Sequence, residues 1–288
     1  MISVETAAQL LGGEARGNMI TCAGPNHSAN DRSLRVTISG DDFVVFSFAG
    51  DDFRVCRDYV KHRLGLPTDW KPEAGSFDIK PVDPQADEKI LRLALRIWDN
   101  AGHIRGSLAE KYLRSRHCYV PDAKSLRFTS NCYYAKNDYR PAMIALFTDI
   151  LTGKPIGIHR TYLNPDGTKL DKKMLGKHLG GAIMLDIPTI SDREITVGEG
   201  IETTLSGIVM GYKPAWAMGS LANLKLFPDN TRFKSMTVLL ENDKKNQSIN
   251  AVKDMAKRLK QNDMKISGRK PKHGEDMNDE LKFLMESR

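Results

Sequence analysis

The stretch "EITVGEGIETTLSGIVMGYKPAWAMG", residues 194–219, reads as a strand, a helix and a second strand within 26 residues. "EITVGEG" carries β-branched residues and ends on an acid held between Gly198 and Gly200. "IETTLSGIVMGY" has helical apolar spacing and stops at Gly211. "KPAWAMG" is again strand-like. The rhythm continues outward. "SLANLKLF" (220–227) is a short helix, "SMTVLLEND" (235–243) a strand, "NQSINAVKDMAKRLKQN" (246–262) a helix and "MKISGR" (264–269) a strand. Alternation of this kind predicts a mostly parallel four-stranded sheet with helices on its faces, and ligands beyond the carboxyl ends of its strands.

Two of these strands end in acid: Glu199 after the first, Glu241 and Asp243 after a later one. Like charges gathered at one edge need a cation or raised pKa values. Mg2+, or Mn2+, suits an all-oxygen set and bridges carboxylates to phosphates. Solvated acids balanced by Lys244 and Lys245 are the alternative reading. A further acidic run, "HGEDMNDEL" (273–281), offers Asp276 and Asp279 as added ligands, or Asp276 or Asn278 as the cap of a terminal helix.

Upstream, residues 65–89 contain four prolines and little periodicity, which predicts a linker over 65–87 and a separate module over 1–64. In that module "DDFVVFSF" (41–48) is a strand. "DDFRVCRDYVKHRLGL" (51–66) is a helix capped by Asp51 or Asp52, with Phe53, Cys56, Val60 and Leu64 near one face. Residues 88–190 form the next segment. It starts with two helices, the second opened by the capping box Ser107–Glu110, and continues in strands: "AMIALFTD", "PIGIHRTYL" and "GAIMLD". The final domain is 191–288. The class is thus α+β, with a C-terminal α/β domain and a small β-rich N-terminal module.

The chain has 288 residues, 40% apolar and 27% charged, with a net charge of +7. The charge fits an anionic partner, or simply solubility. No apolar run is long enough to span a bilayer. The opening "MISVETAAQLLGG" lacks the basic-then-apolar pattern of a secretory signal, so the cytoplasm is the expected compartment. Four scattered cysteines argue against a disulfide framework. No P-loop is present, so any helicase motor is another chain.

"VGEGIETTLSG" with "LLENDKKNQSINAV" and "GEDMND" resembles the Toprim domain, the metal-binding fold shared by bacterial-type primases, type IA and II topoisomerases and some nucleases. The resemblance is strongest in "EGIET" (199–203). It departs at Glu241, which stands where the family's Asp-x-Asp motif has its first aspartate. "RIWDNA", "EKYLRSRH", "PAMIALFTDILTGKPIGIHRTYLNPDG" and "KKMLGKHLGGAIML" resemble the segment preceding Toprim in phage and plasmid primase-like proteins. "CAGPNHSANDRSLRV" with "FSFAGDDFRVCRDYV" resembles the primase zinc ribbon, with Cys22 and His27 kept, Ser47 and Asp51 at the later ligand positions and Cys56 nearby. Four S or N ligands make a structural zinc site, so a metal-free, degenerate ribbon is expected.

The resemblance implies a primase-type nucleotidyltransferase that makes short RNA primers on single-stranded DNA from ribonucleoside triphosphates. In it Glu199, Glu241 and Asp243 are catalytic metal ligands, with Asp276 and Asp279 in support. Arg160, Lys172 and Lys173 face the metal site, with Arg160 the strongest of the three, and His159 beside it is a packed histidine rather than a general base. Glu202 orients a basic partner or reaches the metal, or is an ordinary helix acid. Tyr112, Arg114, Arg116, Tyr133, Tyr134 and Lys136 are template candidates, with core or hairpin packing as the alternative for the aromatics. The same acids in a nuclease cut phosphodiesters. A catalytically weak nucleic-acid-binding accessory is the third reading, and a separate replicative helicase is an implied partner.

Overall fold

The computed structural model describes residues 1–67, 69–73, 75–78, 84–120, 124–242, 247–259 and 263–287. The chain divides into two compact units, Met1–Ala86 and Asp87–Arg288.

The first unit runs β1 (Ile2–Ser3), α1 (Val4–Leu11), β2 (Glu14–Arg16), β3 (Met19–Cys22), β4 (Leu34–Ser39), β5 (Asp42–Ser47), α2 (Phe53–Arg63) and β6 (Phe77–Asp78). β2 to β5 form an antiparallel meander, and β1 pairs in parallel with β6. Strict alternation in "LRVTIS" buries Leu34, Val36 and Ile38 against Val60 of α2 and Leu11 of α1. Asp52 is the N-cap of α2 and accepts from the backbone N–H groups of Arg54 and Val55. Phe53, expected on the buried face of that helix, is 53% exposed. The described part of the expected linker packs into this unit. Trp70 stacks on Phe43 at 5.7 Å, and Phe77 meets both rings edge-on at 6.1 Å. Three aromatic side chains bury enough apolar area to hold the proline-rich segment down.

The second unit contains α3 (Pro84–Asn100), β7 (Gly102–His103), α4 (Leu108–Ser115), β8 (Leu126–Ala135), β9 (Asp138–Asp149), β10 (Pro155–Leu163), β11 (Lys169–Gly176) and β12 (Gly181–Met184). It continues with β13 (Glu194–Gly198), α5 (Ile201–Val209), β14 (Ala215–Ala217), α6 (Leu221–Lys225), β15 (Ser235–Leu239), α7 (Gln247–Leu259), β16 (Lys265–Arg269) and α8 (Met277–Glu286). Among the described residues, ten strands make one sheet ordered β11-β10-β9-β12-β14-β13-β15-β16, with β8 also on β9 and β7 on β8.

The expected four parallel strands are present as β14, β13, β15 and β16. They are not a separate sheet. β12 is antiparallel to both β14 and β9, and so joins the parallel strands to an antiparallel half. The sheet is therefore mixed.

One face carries α4 and α5 over Tyr112, Leu113, Phe147, Leu163, Ile201 and Leu205. The other carries α6 and α7 over Trp216, Leu224, Val238 and Met255, and α3 over Ala142, Ile144 and Tyr162. Among the described residues, no helix is long and apolar enough to cross a membrane.

Candidate active site

The parallel strands end in register. Gly198 of β13 lies opposite both Ala217 of β14 and Leu239 of β15, and Leu239 lies opposite Arg269 of β16. Glu199 follows Gly198 by one residue and Glu241 follows Leu239 by two. The two glutamates thus emerge at the same carboxyl edge, from adjacent strands, and both are half-buried. Asp243 lies outside the described residues. Among the described residues, no group of three or more His, Cys, Asp or Glu is gathered closely enough to hold a metal ion.

Backbone bonds fix this edge. The Gly219 N–H donates to Glu199 O at 2.8 Å, the Leu240 N–H to Arg269 O at 2.9 Å and the Asn242 N–H to Glu275 O at 2.7 Å. The chain turns directly from Glu199 into α5, whose N-cap Gly200 has extended dihedrals. The positive end of the α5 dipole therefore lies beside the glutamate. A Cβ on Gly198 would stand 2.5 Å from Thr204 Oγ1, so only glycine lets β13 run this close to α5.

Asp276 caps α8. Its Oδ1 accepts from the N–H groups of Asn278 and Asp279 at 2.7 and 3.0 Å, and its Oδ2 from the Thr203 hydroxyl at 3.4 Å. Asp279 accepts from the Glu275 N–H at 3.0 Å. Asp276 thus ties the segment after β16 to α5, Asp279 closes the turn before α8, and each retains carboxylate lone pairs. Asn278, fully buried, ties α8 to α4 and α5: its amide donates to Arg116 O at 2.7 Å and to Ser206 Oγ at 2.9 Å.

Glu202, on α5 three residues past Glu199, is buried. It accepts from Lys169 Nζ at 3.0 Å and from the Tyr112 hydroxyl. Burial alone would raise its pKa, but the Lys169 ammonium and the Tyr112 bond outweigh that and hold it at about 2. His159 of β10 is buried on the same face. Burial drives its pKa down to about 4, with Glu202 opposing and Lys172, Lys169 and Arg160 assisting, so the imidazole is neutral at pH 7. It is a packed histidine, with its Nδ1 3.3 Å from Thr161 Oγ1.

Strand parity separates the expected basic residues. β10 and β11 pair Thr161 with Lys172 and Arg160 with Lys173. Lys172 shares the face of Thr161 and His159, toward Glu202. Arg160 and Lys173 fall on the opposite face, away from Glu202. There the Arg160 guanidinium meets Met174 O at 3.1 Å, and Lys173 Nζ sits 3.7 Å over the Tyr134 ring. Lys169, which the sequence reading did not single out, is the base that reaches Glu202. It sits at the end of the turn "NPDGTK", whose parity is set only once Leu163 pairs with Lys169 across a bulge.

Of the template candidates, Tyr112 is buried on Glu202, and Arg114 donates from Nη2 and Nε to one oxygen of Glu110 at 2.7 and 2.9 Å. Arg116 lies over the Tyr112 ring at 6.0 Å. Tyr134 is half-buried and donates to Asp171, whereas Tyr133 is 50% exposed.

In the N-terminal unit His27 and Asp51 meet, and among the described residues no hydrogen bond joins Cys22 or Cys56 to them. His27 Nδ1 lies 2.6 Å from Asp31 Oδ2 and 3.0 Å from Ser33 Oγ, and its Nε2 lies 3.2 Å from Asp51 Oδ1. Ser47 donates to Asp51 at 2.7 Å. Cys22 is fully buried, and burial, partly offset by Arg32 and Arg63, pushes its thiol up to about 11. Burial likewise raises Cys56.

Residues 88–185 match a family described as a domain of unknown function, DUF7146, and residues 194–283 match the Toprim domain. No curated protein matches the chain significantly. Among solved structures, the chain is similar to the zinc-binding and RNA polymerase domains of the Aquifex aeolicus primase, with 15% identity over 99% of this chain and 80% of that one and a TM-score of 0.47. It is also similar to a DNA primase domain from Pseudomonas aeruginosa, with 15% identity over 66% of this chain and 73% of that one and a TM-score of 0.44. The strand, acid and helix around Glu199 are therefore the opening of a Toprim domain that spans residues 194–283.

Proposed function

We propose that this chain is a primase-type nucleotidyltransferase that joins ribonucleotides into short RNA on single-stranded DNA. The observation that carries the reading is the emergence of Glu199 and Glu241 at one carboxyl edge, on adjacent parallel strands of a Toprim domain. The donors at this edge are oxygen only, half-buried, and beside a helix N-terminus, which fits a hard divalent cation.

Glu199, Glu241 and Asp243 would hold Mg2+ or Mn2+, with Asp276 and Asp279 bracing the edge through the bonds they already make. When bound, such ions lower the pKa of an attacking 3′-hydroxyl and neutralise the charge on a leaving pyrophosphate. The chain's own groups do the rest. Lys169 and the Tyr112 hydroxyl keep Glu202 ionised and fixed. That fixes the first turn of α5, and with it the backbone that carries Glu199. Lys172, on the same face, is the base we assign to the triphosphate or template phosphates. His159 takes no proton at neutral pH and acts as packing. The N-terminal unit, with His27 held between carboxylates, is read as a zinc-free ribbon that touches template.

The test is to incubate the protein with single-stranded DNA, Mg2+ or Mn2+ and labelled ribonucleoside triphosphates. Short RNA that disappears in Glu199→Gln supports the reading. Shortened DNA formed without nucleotides would instead identify a nuclease, and DNA binding with neither product an accessory protein.

A further inference from the structure

The outer face of the antiparallel half holds a cavity of about 660 Å³ between α3 and strands β8 to β11. That volume lies within the usual range of small-molecule sites, roughly 300–1,000 Å³. Its walls are apolar, with Leu93 and Ile97 from α3, and its rim carries Tyr133 and Tyr139. These two rings meet edge-to-face at 5.7 Å while remaining 50% and 55% exposed. Such aromatic area held open at a mouth is available for stacking.

The cation in this cavity is unusual. Arg160 is 8% exposed and lines the cavity; among the described residues its guanidinium donates to two neutral carbonyls, Tyr133 O at 3.4 Å and Met174 O at 3.1 Å, and meets the Cys132 thiol. Its Nε is buried without a hydrogen-bond partner. Arg96, exposed on α3, lines the same cavity. No ion pair among the described residues includes either arginine. A buried guanidinium with a spare donor and no carboxylate calls for an anion.

We propose that this cavity binds a nucleotide, with its phosphate on Arg160 and Arg96 and its base against Tyr133 and Tyr139. The site is on the face of the sheet opposite Glu202 and away from the acidic edge. The preference for a nucleotide over another aromatic anion rests on the function proposed above; the cation and the open rings do not. The nucleotide's source is either the free pool or one position of a single strand.

The experiment uses the full chain labelled with 3-fluorotyrosine, in EDTA so that the acidic edge contributes no metal-dependent binding. Thymidine 5′-monophosphate, pentathymidylate, neutral thymidine and the apolar anion decanoate are titrated by 19F NMR and calorimetry, with the Tyr139 signal assigned by Tyr139→Phe. Thymidylate, free or within pentathymidylate, is expected to move the Tyr139 signal, and thymidine to bind at least tenfold more weakly than the probe that responds. Arg96→Ala and Tyr139→Ala, both surface changes, should each weaken binding by roughly fivefold or more. Response to pentathymidylate alone assigns the site to a strand, and response to both probes assigns it to the nucleotide itself; either supports the proposal. No Tyr139 response, equal binding of thymidine, unaltered affinity of both variants, or decanoate binding in place of the nucleotides would overturn it. Glu199→Gln should leave the Tyr139 response intact, so loss of polymerisation and loss of this site are read separately.

Discussion

Lys169 reaches across from β11 to place its ammonium 3.0 Å from the carboxylate of Glu202, three residues past the acid that opens the Toprim domain. Glu202 is buried and Lys169 about one-third exposed, so the pair is tied to the fold at one end and to solvent at the other. Because the folded pKa of Glu202 is depressed to about 2, the stability this pair contributes is present above the ordinary carboxylate range. It is lost as pH falls from about 4.5 toward 2. Lys169→Met should therefore cost roughly 1–2 kcal/mol at pH 7, the buried-pair figure reduced for the exposure of the lysine. The cost should shrink as pH falls below about 4.5, because the unfolded chain is protonated there while folded wild-type Glu202 resists protonation until about 2. Urea denaturation of both proteins at pH 7 and pH 3 measures the difference; an unchanged gap at the two pH values would contradict the assignment.

Asn278 joins three helices from a position with no solvent. Asn278→Ala leaves the Arg116 carbonyl and the Ser206 hydroxyl without this donor, at a cost of about 2–3 kcal/mol. Thermal melting of the variant reports the loss. A melting temperature equal to that of the wild type would mean these bonds are replaced by water.

Much of the Toprim domain was legible because its elements are short and strongly patterned. β13, α5 and β14 follow from β-branched runs, helical spacing and Gly211. The caps at Asp52, Ser107 and Asp276 are where side-chain chemistry puts them. Parity was not legible. Whether Arg160 or His159 faces Glu202 depends on how β10 pairs with its neighbours, and neighbouring residues on a strand always face opposite ways. The single continuous sheet was hidden for a similar reason. β12 has four residues and joins the two halves through pairings with β9 and β14, contacts distant in sequence. β8 shows no clean alternation, since Thr129 to Asn131 lie where its pairing with β9 slips, so its composition did not declare a strand. The proline-rich segment misled in the other direction, because Trp70 and Phe77 outweigh the polar residues around them.

His27 provides a separate pH test in the N-terminal unit. Its bond to Asp31 raises its pKa, with a further contribution from Asp51, and the same contact with Ser33 and His27 holds Asp31 at about 2. A raised histidine pKa gives stability that is complete below the unfolded value near 6.5 and fades as pH rises through the folded value. The melting temperature of the wild type should thus fall from pH 6 to pH 9 by more than that of His27→Gln. Parallel curves would show that the imidazolium contributes nothing.

The close approach of β13 to α5 gives the sharpest test of how the site is built. In Gly198→Ala the new Cβ meets Thr204 Oγ1 at 2.5 Å, so α5 must shift or Thr204 must rotate. Thr204 Oγ1 also donates to Gly200 O at 2.7 Å, which couples any rotation to the N-cap of the helix. Overpacking of this kind costs about 1–3 kcal/mol. Because the displaced backbone carries Glu199, metal-dependent activity should fall by at least tenfold even at temperatures where the variant is fully folded. Thr204→Ala removes the obstructing oxygen, and the double variant Gly198→Ala/Thr204→Ala should recover most of the lost activity while Thr204→Ala alone loses little. A double variant as inactive as Gly198→Ala, with both folded by circular dichroism, would show that Gly198 serves the site through something other than its fit against α5.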